Sequence, residues 1–156
     1  MSTNTVVGTE SRVLNEGYGP GAWHGADLKA ALADVTPALA FWRPGPGRHN
    51  IAEIAVHHAY HARAVRAKIS GQPVEPFVFE GEDWFAVADE SVLAWPKILS
   101  IVETGHTRLG DLIEAIETAK VTSALGDAER FNLVLGITCH AIYHAGQVQL
   151  IKRLRE

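Results

Sequence analysis

Residues Cys139 to Gln147 read CHAIYHAGQ and place His140 and His144 four positions apart in the last periodic segment of the chain. A helix advances about 100° per residue, so Leu133, Ile137, His140, His144, Val148 and Ile151 share one flank. The segment from Ala128 or Arg130 to Arg155 is therefore expected to be a helix whose two histidines point into a bundle.

The same period recurs upstream. Trp95, Ile98, Leu99, Val102, Leu109, Ile113 and Ile116 mark a second helical face, with Pro96 in its first turn. Asn50 is the expected N-cap of a third helix that carries Ile51, Ile54, Ala55, Ala62, Val65 and Ile69 and ends before Gly71. A first helix is expected from Gly25 or Ala26 through Leu32, followed by a short segment from Pro37 to Phe41 capped by Thr36 and stopped by the run RPGPG. Residues 1–23 contain GYGPGAW and read as irregular, although Thr9 to Asn15 suits a short helix.

Between Gln72 and Asp89, prolines, glycine and acidic residues predict an irregular crossing, with Phe77, Phe79, Trp84 and Phe85 laid over a core edge. Val78-Phe79 offers at most a brief strand. Together these features predict a single all-α domain over residues 1–156: an antiparallel four-helix bundle with an additional short helix and a long irregular crossover.

Composition narrows the function. The 156 residues carry 14 Lys and Arg against 18 Asp and Glu, a balance that gives no basic footprint for nucleic acid. Arg63, Arg66 and Lys68 read as a solvated helix face. The opening MSTNTVVGTE lacks the basic and apolar regions of a leader, and no apolar run is long enough to span a bilayer, so a soluble cytoplasmic protein without membrane partners is expected. Cys139 is the single cysteine, which rules out an intramolecular disulfide; it is read as a packing residue and a weak nucleophile candidate.

The chemistry lies with the eight histidines. A buried neutral imidazole needs hydrogen bonds or a metal to offset its lost water. Two imidazoles on adjacent turns are close enough to share an ion, so the His140/His144 pair has both a structural and a metal reading. It is not a zinc-peptidase helix, because Ala141 stands where HExxH requires glutamate. The stretch His49 to His61, HNIAEIAVHHAYH, tilts the balance to metal: His57 and His61 form a second pair at the same spacing, and facing bundle helices bring such pairs together. Helical periodicity places His58 nearest the middle of the apolar face and His57 and His61 on its flank, which favours His58 as the inward ring.

The block His49-Asn-Ile-Ala-Glu-Ile-Ala-Val-His57 resembles the second-helix motif of the DinB-like (DinB/YfiT-like) family, and His140-Ala-Ile-Tyr-His144-Ala-Gly-Gln147 resembles its fourth-helix motif. Gly21-Ala-Trp-His-Gly25 and His49 are similar to the opening elements of one branch. The resemblance runs roughly from Gly21 to Arg153. It implies His57, His140 and His144 as ligands of a divalent ion with open positions for water, substrate or a carboxylate. Zinc and nickel suit such imidazoles, and iron does so with an added oxygen ligand. His58 stands where an aliphatic residue is usual, and His61 where an aromatic or polar one often is. His61 is thus a fourth ligand, a neighbour of the ligands, or packing.

Glu53, one turn before His57, is read as a group that orients an imidazole or accepts a proton, or else as a solvated carboxylate. Gln147, one turn beyond His144, is expected to hydrogen-bond a ligand ring or a bound water. Gly146 suits a close helix contact. His106 is either a satisfied core histidine or a pocket residue, His24 and His49 are entrance candidates, and the aromatics around Trp84 and Trp95 cover either the mouth of the site or a subunit face.

The resemblance implies a metal-dependent enzyme acting on a small molecule, with transfer of a low-molecular-weight thiol to an electrophile as one concrete reaction, and a homodimer as its assembly. Two other classes compete: a metal-binding or stress-associated protein without turnover, and a structural or interaction bundle.

Overall fold

The computed structural model describes residues 8–156, which form six α-helices and, among the described residues, no strand. In chain order these are α1 (Thr9–Tyr18), α2 (Leu28–Ala33), α3 (Pro37–Ala40), α4 (Ile51–Ser70), α5 (Trp95–Glu117) and α6 (Asp127–Arg155). The part of the N-terminal expectation that falls on residues 1–7 lies outside the described residues. No described helix is long and apolar enough to cross a membrane.

Local chemistry explains the boundaries of the middle helices. Asn50 accepts the Glu53 backbone N–H at 2.8 Å and so caps α4, while Gly71 closes it with a left-handed φ of 74°. Thr36 caps α3, Asp27 caps α2, and Pro96 sits in the first turn of α5.

Four helices build the bundle: α1, α4, α5 and α6. The segment expected as the first main helix is only the six-residue α2, and the bundle position belongs instead to α1. Gly8 gives α1 no side-chain cap of its own. The Glu117 carboxylate at the end of α5 supplies it, accepting the backbone N–H groups of Glu10 and Ser11 at 3.2 Å each. At Gly17, α1 approaches α6 so closely that a Cβ there would lie 2.9 Å from the Thr138 carbonyl oxygen. Gly146, the glycine expected to make a close helix contact, faces open space.

Helix directions follow from these contacts. Glu10 pairs with Arg130 and Gly17 meets Thr138, so α1 and α6 run together. The Ile69 carbonyl accepts from Ala124, just before α6, so α4 runs against α6. Asn50 Nδ2 donates to Val87, just ahead of α5, so α4 and α5 are parallel neighbours. A parallel pair needs a return path, and the crossover between Gly71 and Trp95 provides it. That segment is tied to α4 at both Asn50 and Glu53, because the Val87 N–H donates to Glu53 Oε1 at 3.1 Å.

The interior separates into two apolar clusters. One holds Leu28, Ile51, Ala55, Trp95, Ile98, Val102, Ala141 and Val148; the other holds Leu14, Ala62, Ile69, Leu109, Ile113, Val134 and Ile137. Between them, at the levels of Ala59, His106 and His140, the bundle is crossed by imidazoles.

Candidate metal centre

Helices α4 and α6, running in opposite directions, bring His57 against His140 and His144. The three side chains converge through their Nε2 atoms: His140 Nε2 lies 3.1 Å from that of His57 and 3.2 Å from that of His144. Zinc–nitrogen bonds of 2.0–2.1 Å in tetrahedral geometry set ligand nitrogens about 3.3 Å apart, so the spacing fits one ion.

The opposite ring nitrogens show what this arrangement can hold. A carbonyl oxygen only accepts, so His57 Nδ1–H donates to the Asp83 carbonyl at 2.8 Å, which leaves its Nε2 as a bare lone pair. His144 Nδ1–H donates to Gln147 Oε1 at 2.7 Å, with the same result. Two lone pairs therefore face His140 Nε2, and only a proton or a metal ion between the three atoms makes the contact attractive. Burial holds all three rings neutral, the form that binds metal. It pushes His57 below its ordinary value, His140 down to about 3 and His144 down to about 4, with the neighbouring imidazoles adding to the depression.

The crossover furnishes one wall. Trp84 is sandwiched between His49 and His57, with ring centroids 3.7 and 3.8 Å away and planes within 5° and 3° of parallel. This fixes the plane of the His57 ring. Asp83, in the left-handed region at φ 69°, turns its carbonyl to His57 and sets its carboxylate between His61 and the same His57 Nδ1, 2.6 and 3.2 Å away. His61 Nε2 lies 2.6 Å from Asp83 Oδ1 on the half-open rim and is not drawn into the Nε2 triad. His57, His61 and Asp83 form a second group with metal-ligand spacing. Asp83 is the carboxylate beside the histidines that the sequence did not single out.

Glu53 is neither a solvated carboxylate nor a partner of His57. It is 3% exposed, and its oxygens accept from both guanidinium nitrogens of Arg43, from His49 and from the Val87 N–H. Burial pulls its pKa up, but the bonds from Arg43, His49 and Val87 outweigh that and hold it below the usual carboxylate range. Its reach to the centre is indirect, through His49 stacked on Trp84.

The remaining candidates divide. His58 is fully buried, with Nδ1 2.8 Å from His140 Nδ1 and Nε2 2.6 Å from His106 Nε2. His106 is thus a hydrogen-bonded core histidine, and its ring stacks on Tyr18 at 4.1 Å. His24 lies away from the centre, paired with Glu16. Trp95 is core, its indole N–H donating to the Val35 carbonyl. Cys139, expected to pack, is exposed. Tyr60 packs against Phe77 and Phe85, and Tyr143 is largely exposed. Beyond Trp84 and Gln147 opens a groove of about 700 Å³ lined mainly by apolar atoms, with Leu150, Ile151 and Leu154 on α6 and Arg48 at the loop.

No curated protein and no solved structure matches this chain. The sequence model of the DinB superfamily matches residues 22–148, a span that contains α2 through most of α6 and all three converging histidines. With most of its length so matched, the chain belongs to the DinB superfamily.

Proposed function

We propose that the protein is a divalent-metal protein that uses His57, His140 and His144 as ligands and acts on a small molecule at the open side of that centre. The observation that carries this reading is the convergence of three Nε2 atoms at 3.1 and 3.2 Å, two of them with their lone pairs fixed inward. Zinc or nickel is the proposed ion, with iron the third choice. A bound ion supplies Lewis-acid charge and lowers the pKa of a coordinated water or thiol.

The chain's own residues do the rest. Asp83 and Gln147 orient the outer two rings, Trp84 shields one side from water, and the apolar groove beyond Gln147 accepts the body of a substrate. Transfer of a low-molecular-weight thiol to an electrophile is the proposed reaction class; it rests on the family resemblance. Protein purified without an affinity tag should carry close to one equivalent of metal, and the His57→Ala/His140→Ala/His144→Ala variant almost none. Equal metal content in the two would defeat the assignment.

The proposed assembly is a homodimer through the outer face of α6. Phe131, Leu135 and Tyr143 form an exposed stripe there, with Tyr143 66% exposed, and Gly136 and Gly146 leave open space beside it. Light scattering should give twice the chain mass, reduced to one chain by Leu135→Glu with Tyr143→Glu. A wild-type monomer at tens of micromolar would remove the proposal.

A further inference from the structure

The third ligand differs from the other two. His57 and His144 each spend Nδ1 on an oxygen that only accepts, but His140 spends it on another imidazole, His58, which spends its own second nitrogen on a third, His106. This row runs from the centre on α6, through α4, to α5, and ends where His106 stacks on Tyr18 of α1. His58 is 0% and His106 5% exposed, and the two nitrogen contacts are 2.8 and 2.6 Å. Each contact needs one proton and one lone pair, and each neutral ring has one of each. Fixing the proton on any one ring therefore fixes it on all three.

Two arrangements satisfy this row. In the metal-free protein, His140 Nε2 faces the lone pairs of His57 and His144, so Nε2 carries the proton. His140 Nδ1 then accepts from His58 Nδ1–H, and His58 Nε2 accepts from His106 Nε2–H. With a cation held by the three Nε2 atoms, His140 must present a lone pair there and carries its proton on Nδ1. His58 then accepts on Nδ1 and donates from Nε2, and His106 accepts on Nε2 and holds its proton on Nδ1.

We propose that His58 and His106 are positioning residues for the metal centre: a buried imidazole row whose tautomers reverse together when the centre fills, reporting occupancy from α6 across the bundle to α5. The protons balance. The Nε2 proton of His140 leaves to solvent, that of His58 Nδ1 passes to His140 Nδ1, that of His106 Nε2 passes to His58 Nε2, and His106 Nδ1 takes one from solvent. Every ring keeps one proton and none changes charge. An aliphatic residue at position 58 would pack equally well but leave His140 Nδ1 without an acceptor, so the row also favours binding through Nε2.

This inference rests on the metal reading above, and one experiment separates the two. Untagged ¹⁵N-labelled protein is titrated with zinc while ring ¹H–¹⁵N correlations of His106 are followed, with bound zinc measured in parallel. The expected result is the Nε2–H tautomer without zinc and the Nδ1–H tautomer with one equivalent bound. In His58→Leu, zinc should bind about 10- to 100-fold more weakly, and His106 should keep a single tautomer throughout. Stoichiometric zinc binding with no change at His106 in the wild type overturns the row alone. Failure to bind zinc, or any other divalent ion, overturns the metal reading and the row with it. Should the Leu variant not fold, the wild-type titration still decides.

Discussion

The two apolar clusters of the bundle and the imidazole layer between them are chemically opposite, although His58, His106 and His144 are as buried as the apolar side chains and His140 is half-buried. The lower cluster, with Leu109, Ile113 and Val134 all fully buried, is aliphatic and satisfied by contact alone. The layer above it places His58, His106, His140 and His144 where the same helices elsewhere carry alanine, valine and isoleucine. An apolar layer would stabilise the fold at least as well, since a buried imidazole gains little beyond repayment of its lost hydration. The lower cluster answers to folding, the histidine layer under the proposed function answers to metal, and the two should be open to separate perturbation.

Loss of the ligands should change the most. Removing His57, His140 and His144 together should abolish metal uptake while far-ultraviolet circular dichroism keeps its helical form. Zinc should raise the melting temperature of the wild type and leave that of the variant unmoved, because only a ligand of the native state stabilises by mass action. Next is the lower cluster: Leu109→Ala should cost about 2–5 kcal/mol in urea denaturation yet leave metal stoichiometry unchanged. A variant that lost both together would show that the regions are not independent. A smaller effect sharpens the boundary. Gln147→Ala frees His144 Nδ1 and should weaken metal binding by about 10- to 100-fold, with the melting temperature of the metal-free protein nearly unchanged.

Much of the fold was legible because three helices carry their own signals. The Asn50 cap, the Gly71 stop, Pro96 in the first turn and the apolar faces of α4, α5 and α6 are local, and the structure places helices there. The first bundle helix was legible only as a short helix suited to Thr9 to Asn15, not as a member of the bundle. Its sequence TESRVLNEGY buries only Glu10, Leu14, Gly17 and Tyr18, and its cap comes from Glu117, more than a hundred residues away. The close approach at Gly17 likewise depends on Thr138 across the bundle, whereas Gly146 had the same local signature and no partner.

In the site, the same distinction holds. Spacing brought the pairs His57/His61 and His140/His144 into consideration, the family resemblance selected His57, His140 and His144, and periodicity put His58 at the centre of the buried face. Periodicity is blind to the irregular segment: the aromatics around Trp84 were read from composition as a cover for either the site or a subunit face, and nothing signalled that Asp83 would turn back onto the histidines. Glu53 was misread for a related reason: its position one turn from His57 suggested contact, but Arg43 and Val87, both in loops, hold its carboxylate elsewhere.

The most direct measurement is anomalous scattering from crystals of the untagged protein. One peak is expected, bonded to the Nε2 atoms of His57, His140 and His144 at about 2.0–2.2 Å, with His58 and His106 outside bonding distance. Three rings turned apart with no peak between them, or a peak held by His61 and Asp83 instead, would contradict it.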